Sequence, residues 1–487
     1  MAQENNLLAS VCALTLIAGT PALSDAQSTQ ILEEYFASFQ SSQIVLEVGD
    51  KEDNMRSTQW NNITLQGNEG AMQIAIPWIK VSKKVLGGFE MTYAQKVEAA
   101  FQSPDPKFAE PIRFVVENKG LAIEIDGEEG AREYTSSFDE ITFNTLENSI
   151  VNVSGRVTGG ASTLVLKAGD EGSSAGNFNA KTMVIKYDLE IDGQQMASTT
   201  TIADLTAKYL FPHFKEIDPE NPLSSFDPTR DMFIEYSVGS STTRSTIESV
   251  LGPMKVDVSF GSGAGAFSLK DSVASVSATS NDVSYNVIAA GMGMPPIQFD
   301  IKEAVVNVVV PLDNVDESKP ANYKIALDGL VLSDQVWGMF DAKGLLPRDE
   351  ISLDIDLSAN MRWLKKLADI DLKDQNQSPP LEADSATINA LNLKIAGAEL
   401  ITSGEVQINN SQFPPVPDGT VNVSLKGAFG LLTKLTEMGL VPAQNAMMIQ
   451  GMSGMFFKPG NDGEDHLIST IVMTKDGRIS ANGMPLK

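Results

Sequence analysis

The feature that most constrains this chain is an alternation of apolar and polar residues with period two, sustained through most of its 487 residues. Ile351, Leu353, Ile355 and Leu357 alternate with Ser352, Asp354 and Asp356, which puts four aliphatics on one face of an extended strand. Tyr323-Lys-Ile325-Ala-Leu327, Leu391-Asn-Leu393-Lys-Ile395, Val421-Asn-Val423-Ser-Leu425 and the run Met183 to Ile191 repeat the pattern. Asp-Gly pairs stand at 126–127, 192–193, 328–329, 418–419, 462–463 and 476–477. Such pairs reach positive φ readily, so several are predicted to be hairpin turns, the last of them between Ser469–Thr474 and Arg478–Asn482. The predicted class is α+β, predominantly antiparallel β: long amphipathic sheets with a few short helices.

Helical spacing is confined to short stretches. Ser28–Gln40 places Ile31, Leu32, Tyr35, Phe36 and Phe39 on one face. Ser333 is a candidate N-cap for a helix to Phe340, with Val336, Trp337 and Phe340 together. Ala428–Met438 ends at Gly439, and Pro442 can open a further helix through Phe456, making a helical hairpin. Ala203–Tyr209, Thr242–Leu251 and Met361–Leu367 also read as short helices. Phe226–Asp231 before the strand Met232–Val238 echoes Leu346-Pro-Arg-Asp349 before Ile351–Leu357, and each echo has a helical pattern upstream. Two repeated halves and chance both account for it. Polar stretches at 168–180, 217–230 and 372–385 read as loops. The division expected is a signal peptide at 1–26, an amino-terminal β-rich half at 27–225, and a carboxyl-terminal β-rich half at 226–487 that carries the helical hairpin.

Leu7–Leu23 is uncharged, broken by Gly19 and Pro21, and followed by small residues, so it reads as the core of a cleavable signal peptide. Cleavage is expected after Ser24 or Ala26, although Met1–Asn6 carries Glu4 and no Lys or Arg. A buried amino-terminal helix is the competing reading. Cys12 lies mid-run behind Val11, which argues against lipidation. The expectation is therefore a periplasmic protein whose mature chain has no cysteine and no transmembrane segment. Lys and Arg number 36 against 63 Asp and Glu, a net charge of -27, and removal of residues 1–26 leaves -25. That sign excludes nucleic acid and adhesion through a polybasic patch. One cysteine and two histidines exclude disulfide frameworks, cysteine-based zinc sites and iron–sulfur clusters.

Leu330-Val-Leu-Ser-Asp334-Gln-Val-Trp337-Gly-Met-Phe340-Asp341, then Leu346-Pro-Arg-Asp349 and Leu353-Asp-Ile-Asp-Leu357, resembles the domain of unknown function 2125 of alphaproteobacterial exported proteins. The closing stretch Gly454-Met-Phe-Phe-Lys458-Pro-Gly460, with Asp476-Gly-Arg478 and Asn482-Gly483, is similar to the carboxyl end of that family. The resemblance implies an exported protein of long antiparallel sheet with short helices, over nearly the whole mature chain. That family has no assigned activity, so the resemblance implies no catalytic residues. The texture is also similar to envelope proteins of the AsmA-like group, whose amphipathic sheets form lipid-handling grooves.

Motifs that carry chemistry fail on context. Gly172-Ser-Ser174-Ala-Gly176 matches the nucleophile elbow, but no apolar helix follows, so a loop is expected around Ser174. The bases for such a serine are His213, in Phe211-Pro-His-Phe214, and His466. Gly261-Ser-Gly263-Ala-Gly265-Ala266 approaches a dinucleotide fingerprint but runs on as a strand, so a glycine-rich hairpin or bulge is expected. Met438, Met447, Met448, Met452 and Met455 would suit copper(I), or the packing of an apolar surface. Asn461–Asp465 lacks the spacing of a calcium loop. No catalytic, cofactor-binding or metal-ligating residue is assigned, no cofactor is implied, and the expectation is a protein that is not an enzyme.

A sheet with one apolar face must bury it against something. One reading has short helices covering part of the face while the rest forms a groove for lipid or another apolar small molecule. The other has two sheets packed as a sandwich, in a structural module that meets other envelope proteins. A hydrolase is the third.

Overall fold

The computed structural model describes residues 26–486 apart from 40–43, 55, 68–71, 103–110, 147–150, 170–171, 192–193, 213–226, 250–251, 313–314, 371–379, 412–413, 462 and 464. Residues 1–25 of the expected signal peptide and His213 lie outside the described residues, as do Asp192-Gly193 and Asp462. The chain forms two compact units, Met1–Glu216 with Met232–Lys255, and Ile217–Asp231 with Val256–Lys487. Both are mostly antiparallel strand, and four α-helices are present among the described residues.

The first unit has a conventional core. Helix α1, Ala26–Phe39, buries Ile31, Leu32, Tyr35 and Phe36 against strands β1, Ser57–Gly67, and β2, Met72–Lys83. Phe36 stacks on Trp60 at 5.6 Å between ring centroids. Arg132, itself buried, donates to Glu34 of the helix and to the Gly127 carbonyl, pinning α1 to the sheet. The sheet continues through β3, Ala131–Thr145, β4, Val151–Lys167, β5, Ser173–Ile191, and β6, Gln194–Pro212, each antiparallel to the next.

Glycines inside these strands make room for aromatic rings on the neighbouring strand. Gly155 lies opposite Phe143 and Gly160 opposite Phe138. A Cβ on Gly155 would fall 2.1 Å from the Phe143 ring, and one on Gly160 would fall 2.0 Å from the Phe138 ring. The ring covers the backbone that glycine leaves bare, and the strand keeps its pairing.

The predicted helix at Ala203–Tyr209 is part of β6, and the cause is a single kink. Asp204 has φ 50° and is missing from the pairing with β5, whose register is the same on either side, and Ile202 and Leu205 both pack on one buried cluster. The resulting three-residue spacing imitates a helical one. Gly239 sits beside the kink and donates to the Ala203 carbonyl, between the strands Met232–Val238 and Ser240–Ser249 that both pair with β6. Asp282 and Gly261 repeat the arrangement in the second unit, with Gly261 donating to the Asn281 carbonyl. Thr242–Leu251 is likewise extended through Ser249, where Thr243 and Thr200 share a cross-strand hydroxyl bond of 2.9 Å. Met361–Trp363 completes a strand, and only Leu367–Asp369 turns, as one 3₁₀ segment. Without a helix at 203–209, the proposed echo loses its upstream element.

In the second unit the strands run as a meander: β7, Ser262–Lys270; β8, Val273–Ala289; β9, Ile297–Pro311; β10, Lys319–Leu332; β11, Ile351–Trp363. It continues with β12, Leu381–Ile395, β13, Ala398–Asn409, β14, Val416–Lys426, and β15, His466–Met473. Each pairs antiparallel with the next. Helix α2, Asp334–Phe340, follows β10 with Ser333 as its N-cap, as predicted. Helices α3, Ala428–Glu437, and α4, Ala443–Phe456, form the predicted hairpin between β14 and β15.

The Asp-Gly pairs divide. Asp476-Gly477 closes the hairpin between His466–Met473 and Ile479–Ala481, with Gly477 donating to the Thr474 carbonyl, and a further hairpin turns at Asn482-Gly483. Asp328-Gly329 is instead a bulge inside β10, where the register jumps from Leu327 to Leu330 and Gly329 takes φ 64°. Asp418-Gly419 lies within β14, facing Gln407 and Val406. Asp126-Gly127 precedes a turn made by Glu129 and Gly130.

Substituting Gly155 by Val is expected to lower stability by about 1–3 kcal/mol through overpacking against Phe143. Phe143→Ala is expected to cost about 3–5 kcal/mol as a cavity. In chemical denaturation the double variant should cost less than the sum, because the truncated ring makes room for the new side chain.

Candidate functional site: an apolar sheet face

Register puts the apolar residues of the second unit into continuous rows across the strands. One row runs Phe267, Val276, Val308, Tyr323, Leu357 and Ile388 from β7 to β12. The next runs Gly265, Ala278, Val306, Ile325, Ile355 and Leu391. On one side lies the row Ala274, Val310, and on the other Ala304, Leu327, Leu353, Leu393, Leu400 and Leu425. None of these positions is charged. With strands about 4.8 Å apart, six strands carry the rows over roughly 24 Å.

The opposite face is polar and internally bonded. Lys324 lies 3.6 Å from Asp356 and 3.8 Å from Asp354. Asn389 and Asn322 donate to the Asp356 carboxylate at 2.8 and 2.9 Å, and these bonds, with Lys324, hold Asp356 below the ordinary carboxylate range against the cost of desolvation. The polar side of the alternation therefore faces water.

Among the described residues, helices cover the apolar side at one end, and at the other Leu269, which pairs with Ala274, is buried as well. Trp337 of α2, Leu346 of the following loop and Ala396 of the β12–β13 turn are buried together, and Leu332, Ile395, Leu431, Leu435 and Met438 pack on them. Helices α2 and α3 thus close the sheet where β10 ends and β12 turns. Ala396 and Gly397 make that turn with φ of 50° and 81°, the tight geometry of a two-residue hairpin. Asp341 locks the cap. Its carboxylate is 1% exposed and accepts from the backbone N–H groups of Leu345 and Leu346, both at 2.9 Å. Burial works against the charge, but those bonds outweigh it and hold Asp341 below the usual carboxylate range.

Among the described residues the middle of the rows is left open. Val276, Tyr323, Val306 and Leu357 are 45%, 42%, 36% and 37% exposed, and the aliphatics between them are half-buried. The contrast with the first unit is sharp, since Ile63, Ile76, Ile79 and Ile123 there are wholly buried under one continuous core.

Residues 257–487 match the model of a family described as an uncharacterised protein conserved in bacteria, DUF2125. The resemblance read from Leu330–Leu357 and Gly454–Gly483 is borne out over these residues, which contain the apolar rows from Phe267 on, the cap and the helical hairpin. No curated protein and no solved structure matches the chain at a significant level.

Among the described residues, those singled out by motif do not converge. Ser174, expected in a loop, sits inside β5 and pairs with Leu166 on one side and Phe211 on the other. A serine held in a central strand has no strand-to-helix elbow to thrust it forward. In the DUF2125 region, Gly263 to Ala266, expected in a hairpin or bulge, lie instead inside strand β7, in unbroken register with β8. His466 is buried at the start of β15 with its Nε2 3.0 Å from Ser424 Oγ, a partner hidden from sequence because it depends on the β14–β15 register. The adjacent carboxylate, Asp465, is engaged elsewhere: it accepts from Phe429 and Gly430 N–H at the start of α3. Met438 packs in the cap, whereas Met447, Met448, Met452 and Met455 are exposed on α4. Among the described residues no group of three His, Cys, Asp or Glu is placed to hold a metal, and no helix is long and apolar enough to cross a membrane.

The Asp341 anchor sets a pH dependence. A carboxylate held low in the folded state adds stability above the ordinary Asp pKa, about 3.9, and loses it as pH falls through the lower folded value. Asp341→Asn is expected to melt below the parent protein near neutral pH, with the difference shrinking on acidification below that range. Thermal melts across an acid-to-neutral series measure it.

Proposed function

We propose that this is an exported, non-catalytic periplasmic protein that binds lipid or another apolar envelope ligand on the open sheet face of the DUF2125 region. The observation that supports this reading is the set of uncharged cross-strand rows left half-exposed beside a helical cap. A face of that kind exposed to water forgoes about 25 cal/mol for each Å² of apolar area, so an apolar occupant has a standing driving force. An acyl chain laid along the rows contributes about 0.8 kcal/mol per methylene removed from water, offset by its own ordering. The rows' length of roughly 24 Å is commensurate with such a chain. The polar face, with its Lys324–Asp356 network, keeps the protein in solution while the other face is occupied.

The competing reading is a structural or interaction module in which another envelope protein covers the same face. The choice of lipid rests on the face's makeup: a protein interface of this size carries hydrogen-bonding groups among its apolar ones, and these rows carry almost none.

Export through a cleavable signal peptide belongs to the same proposal. It is supported by the uncharged Leu7–Leu23 run and the small residues after it. Amino-terminal sequencing of the protein recovered from the periplasm is expected to begin at Asp25 or Gln27. An intact Met1 on that material would overturn it.

The ligand is tested by mass spectrometry of solvent extracts and by uptake of a fluorescent fatty acid. Near-stoichiometric lipid is expected in the extract. Val306→Glu with Leu357→Glu, both on the open rows, should cut uptake at least tenfold while leaving the melting temperature nearly unchanged. Ile401→Glu, exposed on the other face of the same sheet, should leave uptake intact. A well-folded protein with neither extractable lipid nor uptake would sink the proposal.

A further inference from the structure

We infer that helix α4 is a membrane-docking tip, which inserts its outer face into the headgroup–acyl boundary of an electrically neutral phospholipid bilayer. The inference deepens the lipid-binding proposal by naming where the protein would meet its ligand's source.

Three observations carry it. Helix α4 is exposed over nearly its whole length, apolar side chains included: Ala446 is the buried residue, while Met447 is 66% exposed and Met448, Ile449, Met452 and Met455 are exposed with it. At about 100° per residue, the consecutive Met447, Met448 and Ile449 alone cover about 200° of the helix. A protein groove reads a narrow stripe at i, i+3, i+4 and i+7. An arc of that width is wetted on both flanks by a fluid apolar phase, and unbranched methionine side chains adapt to one.

The second observation is charge. Across the chain about one residue in eight is acidic, 63 of 487. Between Met438 and Asn461 there is no acid, and Lys458, exposed just past the helix, is the one charged residue. The acidic coat that keeps the rest of the protein off a membrane is missing where the apolar side chains stand out, and the single cation is placed at the edge to meet a phosphate.

The third is continuity. The α3 arm of the same hairpin supplies Leu431, Leu435 and Met438 to the cap over the end of the apolar sheet face. Docking through α4 therefore brings a bilayer to the helices that border the proposed binding face. The net charge of -27 selects neutral over anionic lipid, since anionic headgroups repel the rest of the chain.

Flotation of the full-length mature protein with phosphatidylcholine vesicles tests this directly. The parent protein is expected to float, and to float less at low salt when about a third of the lipid is phosphatidylglycerol. Met448→Glu with Met452→Glu should reduce flotation tenfold or more, and Met448→Leu with Met452→Leu should preserve it. Both positions are exposed, so unchanged circular dichroism and melting are expected of either pair. The inference is overturned if the parent protein does not float, or if the glutamate pair floats as well as the parent. It is also overturned if the exposed face proves to hold a second copy, seen as a concentration-dependent dimer in sedimentation that the glutamate pair abolishes while neither form floats. Extractable lipid in a protein that does not float would remove the tip and leave the sheet-face proposal standing. Flotation of a protein that carries no lipid and takes none up would do the reverse.

Discussion

The cross-strand register of the second unit is the interaction on which the rest depends. A strand with alternating side chains is amphipathic by itself, but only hydrogen-bonded register turns separate strands into a shared apolar face. Val308 opposite Tyr323, Tyr323 opposite Leu357 and Leu357 opposite Ile388 are consequences of that ladder. A one-residue slip in any of them would put a residue such as Lys324 or Asp356 into the rows. The bulges at Asp328-Gly329 and between Asp356 and Leu357 absorb the twist of long strands while returning the aliphatics to the same side.

The two units meet the demand of an amphipathic sheet in different ways. The first uses α1, whose Ile31, Leu32, Tyr35 and Phe36 fill a core with Trp60 and Tyr134. The second spends its helices at one end, where Asp341 and the Ser333 cap hold α2 and α3 over Leu332 and Ile395. A helix about ten residues long is only about 15 Å from end to end, so it cannot roof rows that run over six strands. The open face follows from the shortage of covering elements as much as from the sheet itself, and the exposed α4 is the same shortage on the helical side.

How much of this was legible depended on whether a signal was local. The strands, helix α1, the Ser333 cap and the hairpin of α3 and α4 are written in periodicity and capping residues, and they stand where those place them. The misreadings share one cause. At Ala203–Tyr209 a left-handed Asp204 shifted the alternation by one and produced a false helical spacing. At Asp328-Gly329 and Asp418-Gly419 the turn-forming pair served a bulge and a strand interior, because neighbouring strands on both sides supplied hydrogen bonds that a hairpin would have lost. Ser174 looked like a loop residue for want of aliphatics, yet its pairing with Leu166 and Phe211 outweighs local propensity.

By itself the sequence determined the class of secondary structure, the amphipathic character of each strand, the sign of the surface charge and the family resemblance of residues 257–487, since each of these is a property of neighbouring residues or of composition. Only the tertiary structure decided which apolar residues become a core and which remain a face. Leu327 and Ile355 are no less apolar than Ile79 or Ile123; they differ in whether another element packs over them. Burial is set by partners distant in the chain, and the free energy of an apolar side chain depends on whether those partners arrive.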